Sequence, residues 1–145
     1  MKPVLIVLDT NVYISAALNP DSLLYRLVED STSQNLAEYY TSPEIIAELQ
    51  DKLENKFRFD RKTVVRWINQ LDQSVNVIRP SKKITIINND PDDNKILECA
   101  VDCQADLIIS ADKHLTSMKK YENIKIMHPS SLKYIFPQLK KPRKC

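Results

Sequence analysis

Val4-Leu5-Ile6-Val7-Leu8 narrows the choice of fold more than any other stretch of this chain. It is a run of apolar residues with polar Asp9-Thr10-Asn11 directly after it. A run of that length, bounded so sharply, reads as a strand buried on both faces, and such strands belong to parallel sheets covered by helices. The strand delivers Asp9 to its carboxyl end, the edge where open α/β sheets place their ligands. Asp9 is therefore either the N-cap of the next helix or part of a site.

The rest of the chain alternates in the same way. Leu36 to Thr41, Val75 to Ile78, Asp106 to Ser110 and Ile124 to Met127 read as further strands, and Ile84 to Ile87 is ambiguous. Between them lie helical patterns. Leu23, Leu24, Leu27 and Val28 share one spacing. Ser42-Pro43-Glu44 supplies a cap, a first-turn proline and an acid ahead of Ile45, Ile46, Leu49 and Leu53. Val12 to Leu18, Asp60 to Asp72, Asp90 to Val101, Lys113 to Lys120 and Ser130 to Phe136 complete the set. Strands separated by helices predict one α/β domain with a four- to five-stranded, mainly parallel sheet flanked by helices.

Composition excludes several function classes. Glycine is absent from all 145 residues. That removes the P-loop and the dinucleotide fingerprint, which need glycine where backbone approaches phosphate. The three cysteines form no CxxC pair, so neither a zinc knuckle nor a disulfide framework is indicated. No apolar run approaches the roughly 20 residues that span a bilayer, and the apolar start lacks a small-residue cleavage site; a cytoplasmic protein without a membrane partner is expected. The formal charge of +2 is lopsided, because Lys140, Lys141, Arg143 and Lys144 crowd the end. Residues 1–136 are expected to form the domain and 137–145 a basic, flexible tail.

The carboxylates carry the chemistry. Asp9 and Asp112 each follow a strand. Asp93 stands three and four residues before Ile96 and Leu97, on the stripe of the core residues, and Glu48 three after Ile45 and beside Leu49, on the flank of its helix's apolar face. Each has a plain structural role open to it. Asp112 could cap the helix after it, Asp90 with Asp93 could form a capping box, and Glu48 could pair with Lys52. Gathered together, the acids would repel, raising at least one carboxylate pKa, unless a cation compensates. Oxygen ligands without thiolate or imidazole suit a hard ion such as Mg²⁺ or Mn²⁺, which activates water and clamps a phosphodiester. An EF-hand beginning at Asp90 fails, since Lys95 stands where glycine is required and Val101 where the bidentate acid belongs. A haloacid-dehalogenase pattern would need an aspartate at position 11, and a receiver domain a phospho-acceptor where Arg79-Pro80 stands.

Asp9-Thr10-Asn11, the segment from Ser42 to Leu49, the segment from Asp90 to Ala100, and Ser110-Ala111-Asp112-Lys113-His114-Leu115 occur in the order found in PIN-domain ribonucleases. From Val4 to about Phe136 the chain resembles that family, closest to its bacterial toxin components of toxin–antitoxin pairs. The resemblance implies a three-layer PIN-like fold. It also implies Mg²⁺- or Mn²⁺-dependent cleavage of single-stranded RNA by metal-activated water. Carried over residue by residue, the metal-binding and catalytic acids fall on Asp9, Glu48, Asp93 and Asp112, with Asn11 and Ser110 as the polar residues orienting them. The helix face after the third acid selects Asp93 over Asp90 and Asp92. A cognate antitoxin and a second copy of the chain are the implied protein partners, and a PIN-fold module without activity, binding RNA or protein, is the alternative. Separately, Lys56, Arg58, Arg61 and Lys62 around two phenylalanines could hold single-stranded RNA, or Phe57 and Phe59 could dock into the core. His114 and His128 read as structural, because a metal-activated water needs no histidine base.

Overall fold

The computed structural model of the chain describes residues 2–85 and 92–139. Among these residues six strands form one sheet in the order β3-β2-β1-β4-β6-β5. They are β1 (Val4–Leu8), β2 (Ala37–Thr41), β3 (Asn76–Val77), β4 (Leu107–Ile109), β5 (Lys120–Tyr121) and β6 (Ile124–Met127). All neighbours run parallel except β5 and β6, which are antiparallel. The helices are α1 (Thr10–Leu18), α2 (Leu23–Ser33), α3 (Pro43–Asp51), α4 (Arg61–Ser74), α5 (Asp92–Asp102), α6 (Lys113–Thr116) and α7 (Leu132–Ile135). This is an α/β architecture, a mainly parallel sheet flanked by helices. Among the described residues no helix is long and apolar enough to cross a membrane.

The six strands exceed the four or five expected, and β5 accounts for the difference. It is two residues long and pairs Lys120 with Lys125 and Tyr121 with Ile124. No alternation can show in so short a piece. Its formation also cuts short the helix expected to reach Lys120. Lys119 takes a left-handed backbone (φ 63°), which ends the turn after α6 and reverses the chain into β5. Near the end, the helix expected over Ser130 to Phe136 begins instead as a 3-10 turn (Pro129–Ser131) capped by the His128 ring, and α7 follows it. A further 3-10 turn, Pro137–Leu139, keeps the chain packed up to Leu139, which is buried. The ambiguous segment at Ile84 forms no strand where it is described; the Ile84 N–H donates to the Glu98 carboxylate on α5 (2.9 Å). Residues 86–91, including Asp90, lie outside the described residues.

The core explains why the central strands are so apolar. Ile6 and Val7 on β1 and Ile108 and Ile109 on β4 are fully buried, as a strand covered on both faces must be. Leu49, Leu53, Ile96 and Leu97 add the helical share. Burying each of these side chains contributes about 1.5–3 kcal/mol relative to exposure. Leu53 reaches the core because α3 widens into a π turn (Lys52–Lys56), closed by the Phe57 N–H on the Lys52 carbonyl.

One feature of the topology positions the site. From β1 the chain steps to β2 and then β3 on one side, and only afterwards returns to lay β4 on the other. The crossover direction therefore reverses between β1 and β4. Open α/β sheets hold their ligands in the crevice beyond the carboxyl ends of such a strand pair.

Candidate active site

Leu8 pairs with Ile109 in the β1–β4 ladder, so Asp9 and Ser110 stand side by side one residue further on, at the switch point. The Asp9 N–H donates to the Ile109 carbonyl (2.9 Å), which fixes its backbone. Although Asp9 occupies the N-cap position of α1, its side chain makes no cap hydrogen bond to that helix. The carboxylate turns instead to Ser110, whose hydroxyl donates to Oδ2 at 2.6 Å. The same Ser110 oxygen accepts the Asp112 N–H at 3.0 Å. A single fully buried hydroxyl thus ties together the two strand-end aspartates.

Asp112 does cap α6. Its Oδ1 accepts the His114 N–H at 2.7 Å and lies 3.4 Å from His114 Nδ1. Asp93, in the first turn of α5, is 4% exposed. It comes close to this turn: ligand atoms of Asp93, Asp112 and His114 all lie within 4.8 Å of one another. Glu48, on α3, is partly buried and pairs with Lys52 (2.9 Å) and with Lys95 of α5 (3.9 Å). The surface pairing with Lys52 read from the sequence is present, and a second ammonium from another helix joins it.

Burial pushes the Asp9 carboxyl above its usual range, the hydrogen bonds from Ser110 and the Thr10 backbone pull it back, and the charges of Asp112 and Glu48 push it up again. The direction is the one expected of gathered acids, but burial is its main cause and repulsion from Asp112 and Glu48 the smallest. Asp9 is 5% exposed, so its negative charge is poorly solvated, and Asp112 and Glu48 lie within electrostatic reach. Such a group gains from a nearby cation. The donors that lie close together among the described residues are Asp93, Asp112 and His114, two carboxylates and one imidazole with no thiolate, a set that accepts a divalent ion; Asp9 and Glu48 stand outside that cluster.

The supporting residues differ from one another. Ser110 holds Asp9 as described, whereas Asn11 is exposed and its backbone carbonyl accepts the Ser15 hydroxyl (3.1 Å). Lys56, Arg58, Arg61 and Lys62 are exposed around the loop that leads into α4. Phe57 and Phe59 between them are half-buried and pack against the core, and the Lys56 ammonium sits 5.6 Å from the Phe57 ring centre. The aromatic part of that stretch is therefore engaged in packing. Reasoning from sequence passed over Lys95, whose approach depends on how α3 meets α5, and His114, whose only signal was its place two residues after Asp112.

Comparison with known proteins places this geometry. Residues 5–114 match the family model described as a PIN domain. The chain is 28% identical over 141 residues to the uncharacterized protein MJ1680 of Methanocaldococcus jannaschii, covering 90% of this chain and 88% of that one. That relative is archaeal, so the bacterial affiliation implied by the motifs has no counterpart in it. Among solved structures, VapBC2 from Rickettsia felis, bound to a DNA fragment from the promoter of its genes, is similar at TM-score 0.63 and 17% identity, over 86% of this chain and 98% of that one. VapBC-1 from nontypeable Haemophilus influenzae gives 0.60 and 20%, over 88% and 99%. The PIN domain endonuclease Utp24 gives 0.57 and 19%, over 88% and 86%. At these identities the structural likenesses establish the fold.

Proposed function

The chain belongs to the PIN-domain family, and on that premise we propose that it is a metal-dependent endoribonuclease that cleaves single-stranded RNA. Asp9, Glu48, Asp93 and Asp112 are its metal-binding and catalytic acids, and Mg²⁺ or Mn²⁺ is its cofactor. The observation that carries this reading is Asp9 itself, a buried carboxylate at the switch point, held by Ser110 and pushed up by burial and by the charges of Asp112 and Glu48. A structural aspartate in that position would be expected to cap α1, and Asp9 does not.

A divalent ion bound there would activate water and neutralise charge developing on the phosphodiester. The chain's own groups do the rest. Ser110 fixes the rotamer of Asp9 and the turn that presents Asp112. Lys52 and Lys95 hold Glu48 in place and supply positive charge beside it. Asn11, exposed two residues after Asp9, is the second polar residue that would orient the acids. The basic residues Lys56, Arg58, Arg61 and Lys62, with Lys140, Lys141, Arg143 and Lys144 beyond Leu139, contribute charge attraction for the RNA backbone. The motifs shared with toxin components extend the proposal to a cytoplasmic toxin with a cognate antitoxin, acting as a monomer or paired with a second copy.

The test is cleavage of a labelled single-stranded RNA with Mg²⁺ or Mn²⁺, with EDTA as the control and Asp9→Asn as the variant. Cleavage that requires the ion and is lost in Asp9→Asn is the expected result. An Asp9→Asn protein cutting at the wild-type rate would overturn the assignment of the site. RNA binding without cleavage under every ion would identify an inactive PIN-fold module instead.

A further inference from the structure

Resting on the metal-dependent reading above, we infer that His114 is itself a ligand of the bound ion and biases the site towards Mn²⁺ over Mg²⁺. Asp93, Asp112 and His114 offer donor atoms no more than 4.8 Å apart. An octahedral ion holds neighbouring donors about 3 Å apart and opposite ones about 4.2 Å apart, so the three would draw in by up to about 2 Å to share one ion. The cluster is assembled by tertiary structure, because Asp93 comes from α5 while Asp112 and His114 come from the start of α6. On that side the placement is already fixed. The His114 N–H binds Asp112 Oδ1, and the same turn brings the His114 ring nitrogen to 3.4 Å from that oxygen. One side of the imidazole thus faces the acids, while the ring as a whole is 47% exposed and leaves room for water or substrate to share the ion.

The chemical consequence follows from donor type. Mg²⁺ favours oxygen and retains its waters, whereas imidazole adds more to the binding of a transition-metal ion. A four-carboxylate set alone treats Mg²⁺ and Mn²⁺ more alike than a set that includes one nitrogen. His114 therefore acts on which ion is held rather than on whether the acids gather. Its other role would be a solvent-facing partner of Asp112, and the two roles make different predictions.

The full-length protein, free of RNA, is titrated with Mn²⁺ and with Mg²⁺ by calorimetry. Pulsed EPR of the Mn²⁺-loaded protein then looks for nitrogen coupling to the ion. His114→Ala and His114→Gln are compared with wild type and with Asp112→Asn. The expected result is a nitrogen signal in the wild type that both His114 variants lose. Mn²⁺ affinity should also fall on the order of tenfold or more in those variants, with a smaller loss for Mg²⁺. If wild type binds Mn²⁺ without nitrogen coupling, and Asp112→Asn still weakens both ions, His114 is no ligand and the four-acid reading stands. Should the wild type bind neither ion, both fall together.

Discussion

Replacing Ser110 with alanine removes a single oxygen atom, yet it should weaken the fold in a manner set by the charge on Asp9. That hydroxyl is fully buried, donates to Asp9 Oδ2 at 2.6 Å and accepts the Asp112 N–H at 3.0 Å. A hydrogen bond to an ionised group contributes about 1.5–3 kcal/mol, and one between neutral groups about 0.5–1.5 kcal/mol. Asp112 is 20% exposed, so water can take over part of the lost acceptor for its N–H. With Asp9 ionised, Ser110→Ala should therefore cost about 2–3 kcal/mol, and with Asp9 protonated about 1 kcal/mol. The dependence on pH has a definite sign. Asp9 has a folded pKa above its unfolded one, so it keeps its proton longer in the native state. Native stability consequently falls as pH rises from the unfolded value through the folded one. Deleting a hydrogen bond that lowers the pKa raises the folded value further, and the variant loses stability over a wider window. Urea unfolding of both proteins in EDTA, from about pH 4 to about pH 8, reads the difference directly, because every other titrating group shared by the two cancels. A gap that stays constant across that range would refute the coupling of Ser110 to the Asp9 charge.

Asp9→Asn should unfold at the same temperature as wild type or higher in EDTA at neutral pH, with the advantage fading as pH falls through the Asp9 titration. Saturating Mn²⁺ should reverse the order, since only the wild type keeps its full ligand set and binding to the native state adds stability by mass action; a large loss of melting temperature in EDTA would mark Asp9 as structural. Truncation after Leu139 retains that buried residue and removes four basic side chains. It should leave the fold intact and reduce the salt dependence of RNA binding by about 0.7 in slope for every phosphate that the tail had neutralised; loss of cleavage at low salt with saturating RNA would contradict the role given to the tail.

Much of the architecture was legible because its signals are local. Val4–Leu8 became β1 and Ile124–Met127 became β6 residue for residue. Ser42 caps α3 and Asp60 caps α4 through their own side chains. Signals failed where a neighbour in space decided the outcome. β3 keeps only Asn76–Val77 of the run from Val75 to Ile78, because it pairs along one side only, with β2. The antiparallel β5 exists because the left-handed Glu122, between Tyr121 and Ile124, turns the chain back onto β6. In the site, the strand-end positions of Asp9 and Asp112 could be read from the residues before them. That one serine would bind both, that Lys95 would reach Glu48, and that Asp93 would approach His114 depended on how β1, β4, α3 and α5 are assembled.

A chain without glycine must still turn corners, and here Asn35, Arg58, Gln104, Lys119 and Glu122 do so with φ between 54° and 63°. Side chains with a Cβ resist that conformation, by roughly 1–2 kcal/mol in a residue such as lysine or glutamate. The opposite side of the balance is the denatured chain, which lacks the extra backbone freedom that glycine would bring to it. Substituting glycine at Lys119 or Glu122 relaxes the folded turn and loosens the unfolded ensemble at once, so the two effects oppose each other. The turns on either side of β5 thus hold a backbone that the unfolded chain seldom visits, and the register of that edge is set only as β5 closes onto β6.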